Sequence, residues 1–298
     1  MSARSSEGTA SEAGGEEQRV VSLPRSVEPM LESGRELRTA SGVRLTGCVI
    51  SFQESDRIAE CVHSLDFCDE IVVVDSGSTD GTAELAAEAG ARVFRQVPFL
   101  GHREQKQRAV DLATHDWVMC LDADERITPA LRARLIQLKQ EGFQGSGYNM
   151  PRENHYLGRV LKRGIAWPDR KIRLFDRRKG HWGGTNPHDR VELDGSVEPT
   201  RLEESFQHLS FRDLRQHVRT ADNFARISAK ALFDQGRRTR PWDLLLRPPA
   251  MLLKSLVLKA GIVDGWRGVA VAGLASWNNW LKYWRLYRLG RQAGRRPT

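Results

Sequence analysis

Cysteine is scarce: Cys48, Cys61, Cys68 and Cys120 are the only four in 298 residues, and no two form a CxxC pair. Three of them fall in apolar runs that read as strand or helix, where a buried thiol is the ordinary state, so a reducing, cytosolic setting is expected. Long apolar runs are also missing. The longest stretch without a charge, Gly268 to Leu281, has 14 residues, short of the roughly 18 or more of a spanning helix. The opening is polar and acidic, with no apolar segment after its first basic residue, so no secretory signal is expected. Residues 1 to about 43 contain no aromatic side chain and are rich in Ser, Gly, Glu and Arg. Such a stretch has too little apolar surface to offset chain entropy and is expected to be disordered. Two common nucleotide motifs are absent, GxxxxGK[ST] and a GxGxxG opening the helix after the first strand.

What is present is a globular composition, 40% hydrophobic, with enough chain for one large or two modest domains. The net charge of +8 is uneven. From Arg237 to Thr298 there are 13 Lys and Arg against Asp243 and Asp264, a balance of +11 that leaves −3 for everything before it.

From Arg44 onward the pattern is regular. Leu45 to Ile50 reads as a strand, Ile58 to Leu65 as a helix and Ile71 to Val74 as a second, fully apolar strand. A helix at Thr82 to Glu88, a strand at Ala91 to Arg95, a helix at Arg103 to Ala113 and a strand at Trp117 to Leu121 complete a βαβαβαβ series. Strands apolar on both faces and alternating with helices imply an α/β fold, a mostly parallel sheet covered on both sides. Ligands of such sheets bind beyond the carboxyl ends of the strands. Thr128-Pro129 has the form of an N-cap and first helical residue, opening a helix to about Glu141. Tyr148 to Val197 holds short β-like runs and reads as an antiparallel extension of the sheet, followed by a helix from about Phe211 to Phe233.

Two constellations carry chemistry. In Val72 to Thr82 a buried strand delivers Asp75 at its tip, followed by Ser76-Gly77-Ser78-Thr79-Asp80-Gly81. The acid suits hydrogen bonds from a base or ribose, and the small residues let backbone N–H groups approach a ligand; a strand-to-helix turn accounts for the same residues. In the second, Asp122-Ala123-Asp124-Glu125 ends another buried strand. Two carboxylates at i and i+2 can face one divalent ion whose other ligands are phosphates, or they are an acidic loop ahead of the Thr128 cap. Both acids end strands of one expected sheet, so one crevice can hold nucleoside and diphosphate together.

In order, these residues resemble glycosyltransferase family 2, in particular its lipopolysaccharide-core glucosyltransferase branch. The likeness runs from about Leu45 to Leu289 through Ser51-Phe52-Gln53-Glu54, Asp75 to Thr82, Gln105-Lys106-Gln107, Asp122 to Glu125, Asp169 to Phe175, Pro187-His188-Asp189 and Gly261 to Gly265. The resemblance implies a GT-A fold and an inverting displacement, with UDP-glucose as donor and Mg2+ or Mn2+ as cofactor. It also implies site roles. Glu54 and Asp75, with Ser51, Phe52, Ser76 and Gly77, would line the nucleoside pocket, and Asp122-Ala123 would serve ribose or metal. Asp124 would hold the metal, with His208 as a further ligand or else a buried, hydrogen-bonded histidine. Arg103 or Lys106 would offset diphosphate charge, and Asp189, with Asp169 second, would be the base. Gln53 stands where the family commonly has Asn, and Asp189 where Glu is usual. Arg170, Lys171 and Arg173 are expected to face phosphate or to form a solvated strand face.

Five of the eight tryptophans (Trp242, Trp266, Trp277, Trp280, Trp284) share the basic C-terminal region. Aromatics interleaved with Lys282, Arg285 and Arg288 fit a helix lying in an anionic membrane interface; packing on the catalytic domain is the alternative. The expected organisation is a disordered 1–43, a GT-A domain at 44–235 and a basic amphipathic helical region at 236–298. The chain would sit on the inner face of the cytoplasmic membrane and act on a glycolipid or envelope glycan. A nucleotidyltransferase or a non-catalytic nucleic-acid-binding protein is the other reading; nucleic acid is not the expected partner.

Overall fold

A computed structural model describes residues 29–31, 42–164, 167–185, 188–195, 197–211 and 213–293. In chain order the elements are β1 (Pro29–Leu31), β2 (Leu45–Ser51), α1 (Ile58–His63), β3 (Glu70–Asp75), α2 (Thr82–Glu88), β4 (Arg92–Arg95), α3 (His102–Asp111) and β5 (Trp117–Asp122). There follow β6 (Glu125–Ile127), α4 (Pro129–Glu141), β7 (Gly147–Tyr156), β8 (Arg159–Val160), β9 (Arg170–Asp176), β10 (Gly180–Thr185), β11 (His188–Leu193), β12 (Thr200–Arg201) and β13 (Phe206–Phe211). Three long helices close the chain: α5 (Leu214–Asp234), α6 (Pro241–Leu253) and α7 (Gly265–Ala293).

The βαβαβαβ expectation holds, with β4, β3, β2 and β5 side by side and parallel. Because side chains alternate along a strand, Val49, Val73 and Met119 pack under Ile58, Val62, Leu131 and Leu135 on one face. Cys48, Val72, Val118 and Cys120 meet Ala109 and Val110 of α3 on the other. All four cysteines are free and buried. Thr128 caps α4 as expected, accepting from Leu131 N at 3.2 Å ahead of Pro129.

The expectation of disorder over residues 1–43 is corrected at one place: Pro29–Leu31 adds antiparallel to β4, with Pro29 opposite Phe94. An edge strand presents an unpaired row of N–H and C=O groups, and a short apolar segment upstream takes them up. The rest of that stretch, 1–28 and 32–41, lies outside the described residues.

Beyond β5 the sheet turns antiparallel through β9 and β7, as expected for this region. β13 then runs parallel to β7 and antiparallel to β6. That pairing sets His208 opposite both Asn154 and Glu125.

The helices form a second unit. α5 buries Ala221, Ala225 and Ala229, and α7 buries Ala272, small residues that let α5 and α7 approach closely. By packing, this unit starts at Leu214, upstream of the division at residue 236 expected from charge. Its sharp bend, a π-turn at Lys254–Leu258 and a 3-10 turn at Gly261–Asp264, needs glycine, since a Cβ on Gly261 would lie 2.6 Å from Ser255 O. Among the described residues no helix is long and apolar enough to cross a membrane.

Candidate active site

The register brings the two acid turns together. Ser51 pairs with Asp75 on one side of β2 while Ile50 pairs with Asp122 on the other, so both acids stand at one carboxyl rim. Asp75 is buried and spends its carboxylate on the chain. Oδ1 accepts from Gly77 N (2.9 Å) and Ser78 N (2.7 Å), and Oδ2 from Ser51 Oγ (3.0 Å) and Ser78 Oγ (2.6 Å). It therefore shapes the 76–78 loop. Gly77 is required there, with φ +87° and Val97 Cγ2 only 2.9 Å from where a Cβ would stand. The facing loop is laced on: Gln53 N donates to Ser78 Oγ, Glu54 N to Thr82 Oγ1 and Ser55 N to Asp80 Oδ2, while Phe52 points outward, 57% exposed. Ser76 Oγ accepts from Gln105 of α3 at 3.0 Å. The residues expected from sequence on the nucleoside side thus sit together in two loops that are hydrogen-bonded to each other.

At β5 the two carboxylates of Asp122 and Asp124 take different partners. Asp122 ends the strand and turns to cations: Lys106 Nζ lies 2.9 Å from its Oδ1, and Arg173 donates to its Oδ2 at 3.0 Å. Asp124 sits in the turn to β6 and faces His208, with Oδ2 3.4 Å from Nε2. The backbone reverses direction between them, from β5 to β6. Ala123 belongs to the core.

Glu125, fully buried, accepts from Arg173 (2.6 Å), and its Oε2 accepts from Asp122 N (3.1 Å). Arg152 reaches Glu125 at 3.4 Å and Asp169 at 2.6 Å, and Lys171 reaches Asp169 at 3.2 Å. At the other end Lys106 Nζ is 2.8 Å from Asp189 Oδ2. One unbroken chain of alternating charge thus runs Asp189, Lys106, Asp122, Arg173, Glu125, Arg152, Asp169, Lys171. Trp182 floors it, its ring 4.7 Å from Lys106 Nζ and 5.5 Å from the Arg173 guanidinium. Burial alone would raise the Asp122 pKa, but Lys106 and Arg173 overcome it and hold that carboxyl well below the usual range. Burial opposes the charge of Lys106 and Arg173 too; Asp122 and Asp189 raise the first, and Glu125 and Asp122 the second. Asp169 is likewise held low against its burial by Arg152 and Lys171.

His208 is oriented from behind. Its Nδ1 meets Asn154 Oδ1 at 2.8 Å, while Asn154 Nδ2 donates toward Asp169 at 3.4 Å, which fixes the amide's orientation. Its Nε2 faces the Asp124 carboxylate. An imidazole nitrogen and a carboxylate oxygen facing each other, with the imidazole held by an amide behind it, suit two ligands of one cation. Among the described residues no group of three His, Cys, Asp or Glu converges as a metal cage. A cation held here completes its shell with ligand oxygens, as Mg2+ and Mn2+ do at phosphate sites.

Arg103 pairs with Glu104 and donates to Gly184 O at 3.4 Å, bracing the β10–β11 hairpin. Arg173 was expected to face phosphate or solvent; it is buried, because it sits between Ile172 and Leu174 on a central strand. Asn154 and Arg152 carry no local signal, since it is the pairing of β7 with β13 and β9 that brings them to the site.

A parallel sheet covered on both faces, with acids at its carboxyl rim, defines an α/β enzyme that takes its substrates beyond the strand ends. Residues 47–192 match the family model for glycosyl transferase family 2. The lipopolysaccharide core biosynthesis glycosyltransferase LpsC of Rhizobium meliloti (strain 1021) is 30% identical over 215 residues, 70% of this chain and 79% of that protein. An uncharacterized glycosyltransferase of Rickettsia prowazekii (strain Madrid E), RP128, is 28% identical over 76% of this chain and 80% of its own. The chain belongs to glycosyltransferase family 2, and its architecture is of the GT-A type. Among solved structures, glucosyl-3-phosphoglycerate synthase from Mycobacterium tuberculosis aligns over 38% of this chain and 45% of its own, at 24% identity and a TM-score of 0.32. That overlap is too small to carry ligands from one protein to the other.

Proposed function

We propose that this glycosyltransferase moves a sugar, glucose being the expected hexose, from a UDP-sugar to a hydroxyl of a lipopolysaccharide-core or similar envelope glycan, with inversion. The observation that carries the donor side is Asp124 facing Nε2 of His208, beside the Asp122–Lys106–Asp189 chain. Asp124 and His208 would hold Mg2+ or Mn2+, which when bound neutralises charge growing on the leaving diphosphate. Asp189 takes the proton of the attacking hydroxyl as the new carbon–oxygen bond forms and the bond to the diphosphate breaks. Lys106, shared by Asp189 and Asp122, fixes the base relative to the donor rim. Asp169, clamped by Arg152 and Lys171, is less free to accept a proton and serves the acceptor side as a hydrogen-bonding group. The acceptor class draws support from the name of the Rhizobium relative.

Membrane association draws support from the helical unit. Leu258 is 76% and Val263 70% exposed, with Trp242, Leu245, Leu246, Leu253 and Trp266 also in solvent and Lys254 and Lys259 interleaved. Apolar side chains flanked by cations suit the interface of an anionic bilayer, here its cytoplasmic face. This edge is tied to the catalytic part by Gly164 N to Lys259 O (2.8 Å) and by Arg163 N to Asp264 Oδ2 (2.8 Å).

The test is release of UDP from UDP-sugars by the full chain, with and without acceptor. Activity restored by Mn2+ after chelation supports the reading, and full activity in EDTA overturns the metal assignment.

A further inference from the structure

A cleft of about 380 Å3 opens between the sheet and the helical unit, within the ~300–1,000 Å3 typical of small-ligand sites. Its two walls differ. The sheet wall is polar, made by Arg152, Asn154 and Asp169; the α7 wall is apolar, made by Val271, Leu274 and Ala275. His217 closes one side, stacked on Phe211 at 4.0 Å and bonded through Nδ1 to the Tyr156 hydroxyl at 2.9 Å. Burial pushes its pKa down to about 4, so the ring is neutral at physiological pH.

Two further observations point to an occupant. Asn278, on the α7 side of the cleft, has its Oδ1 buried without a hydrogen-bond partner. An unanswered buried carbonyl costs about 1–3 kcal/mol, which a ligand hydroxyl placed there would relieve. On the opposite wall Asn154 bonds both Asp169, within the cleft, and His208, which faces Asp124. A group seated on the sheet wall is therefore one side chain from the donor-side pair. The α5 and α7 residues of the cleft lie outside the stretch matched by the family model, residues 47–192.

We infer that this cleft is a binding subsite for an amphiphilic glycan acceptor, with sugar hydroxyls on Asn154, Asp169 and Asn278 and an apolar aglycone along Val271, Leu274 and Ala275. This rests on the glycosyl-transfer reading above. A carboxylate and two amides suit hydroxyl donors and acceptors, whereas Arg152 and Lys171 are already engaged by carboxylates and leave no unpaired cation to recruit a second anion.

The test measures binding of octyl β-D-glucoside, below its micellar concentration, against glucose by calorimetry. Covering even two methylenes is worth ~0.8 kcal/mol each, so the alkyl glycoside should bind about tenfold more tightly than the free sugar. Ala275→Trp fills the cleft and should abolish that difference. Asn278→Leu, a smaller change, should weaken both ligands several-fold while leaving the ratio between them. Leu258→Ser with Val263→Ser, on the outer edge, should leave the difference intact. A difference that survives in folded Ala275→Trp, that vanishes in the outer-edge variant, or that is missing from the unsubstituted chain overturns the inference. A thermal shift with UDP and Mn2+ on the same samples reports the donor side separately; its absence would count against the donor reading and not against the cleft.

Discussion

The sheet rim and the helical unit invert the usual partition of side chains in opposite ways. At the rim, Glu125, Arg173 and Lys106 are buried, and Asp122, Asp169 and Asp189 are largely covered. In the helices, Trp242, Leu246, Leu258 and Val263 stand in water, and α6 buries no residue at all. Buried charge is tolerated only where each ion meets a partner at close range. Exposed apolar surface of this extent marks a binding face. The first arrangement fixes groups in place for chemistry; the second holds apolar area in reserve for a surface not yet met. The two regions should therefore fail differently when altered.

The largest effect is expected from Asp124→Asn, which should lower both sugar transfer and donor hydrolysis by about 10^2–10^3-fold with the unfolding midpoint unchanged. Loss of activity with a collapsed midpoint would make Asp124 structural instead. Asp189→Asn should reduce transfer by ~10^2-fold or more while UDP and Mn2+ still shift the melting curve. If transfer persists, Asp169 becomes the base to test. Arg173→Met removes the buried cation that joins Glu125 to Asp122 and should destabilise the chain by about 3–5 kcal/mol, read from urea unfolding; a loss under 1 kcal/mol would show the network to be ornamental to folding. On the helical side, Leu258→Ser with Val263→Ser should cut partitioning onto anionic vesicles by roughly 30-fold or more, from ~1–2 kcal/mol for each of the two aliphatic side chains, and leave turnover of a soluble acceptor intact.

The smallest effect concerns His217 at the seam between the two regions. Burial holds its pKa at about 4, below the 6.5 of an unperturbed imidazole. As pH falls the unfolded chain takes up this proton first, so stability declines from about pH 6.5 to about pH 4 and this contribution is flat below that. Partial exposure limits the change to a few degrees of unfolding midpoint. Melting curves of His217→Gln should lack that component, and identical pH profiles for both chains would remove His217 from the account.

The parallel half of the fold is legible in sequence because its strands are buried on both faces. Runs such as Ile71 to Val74 declare themselves, and the register that sets Asp75 and Asp122 level across β2 follows from parallel pairing. The site is less legible in proportion to how far its members come in the chain. Asp124 and His208 are 84 positions apart, and nothing local to either reports the β13–β6 pairing that joins them. The division between Asp122 and Asp124 depends on a two-residue reversal that i, i+2 spacing alone does not reveal. Arg173 was visible as a cation but not as a buried one, since its partner Glu125 is supplied from another strand. Membership of α5 in the helical unit was hidden because its contact face is alanine, which patterns weakly beside the leucines and tryptophans of its neighbours.

β13 carries a consequence for how the protein comes into being. It is the final strand to be synthesised, yet it is inserted between β7 and β6, both made earlier. A nascent chain halted before Phe206 already has β2 to β5 and the acid turn, but the place beside Asp124 stands without its histidine. If His208 serves the donor side as proposed, competence arrives only at the end of the sheet's synthesis.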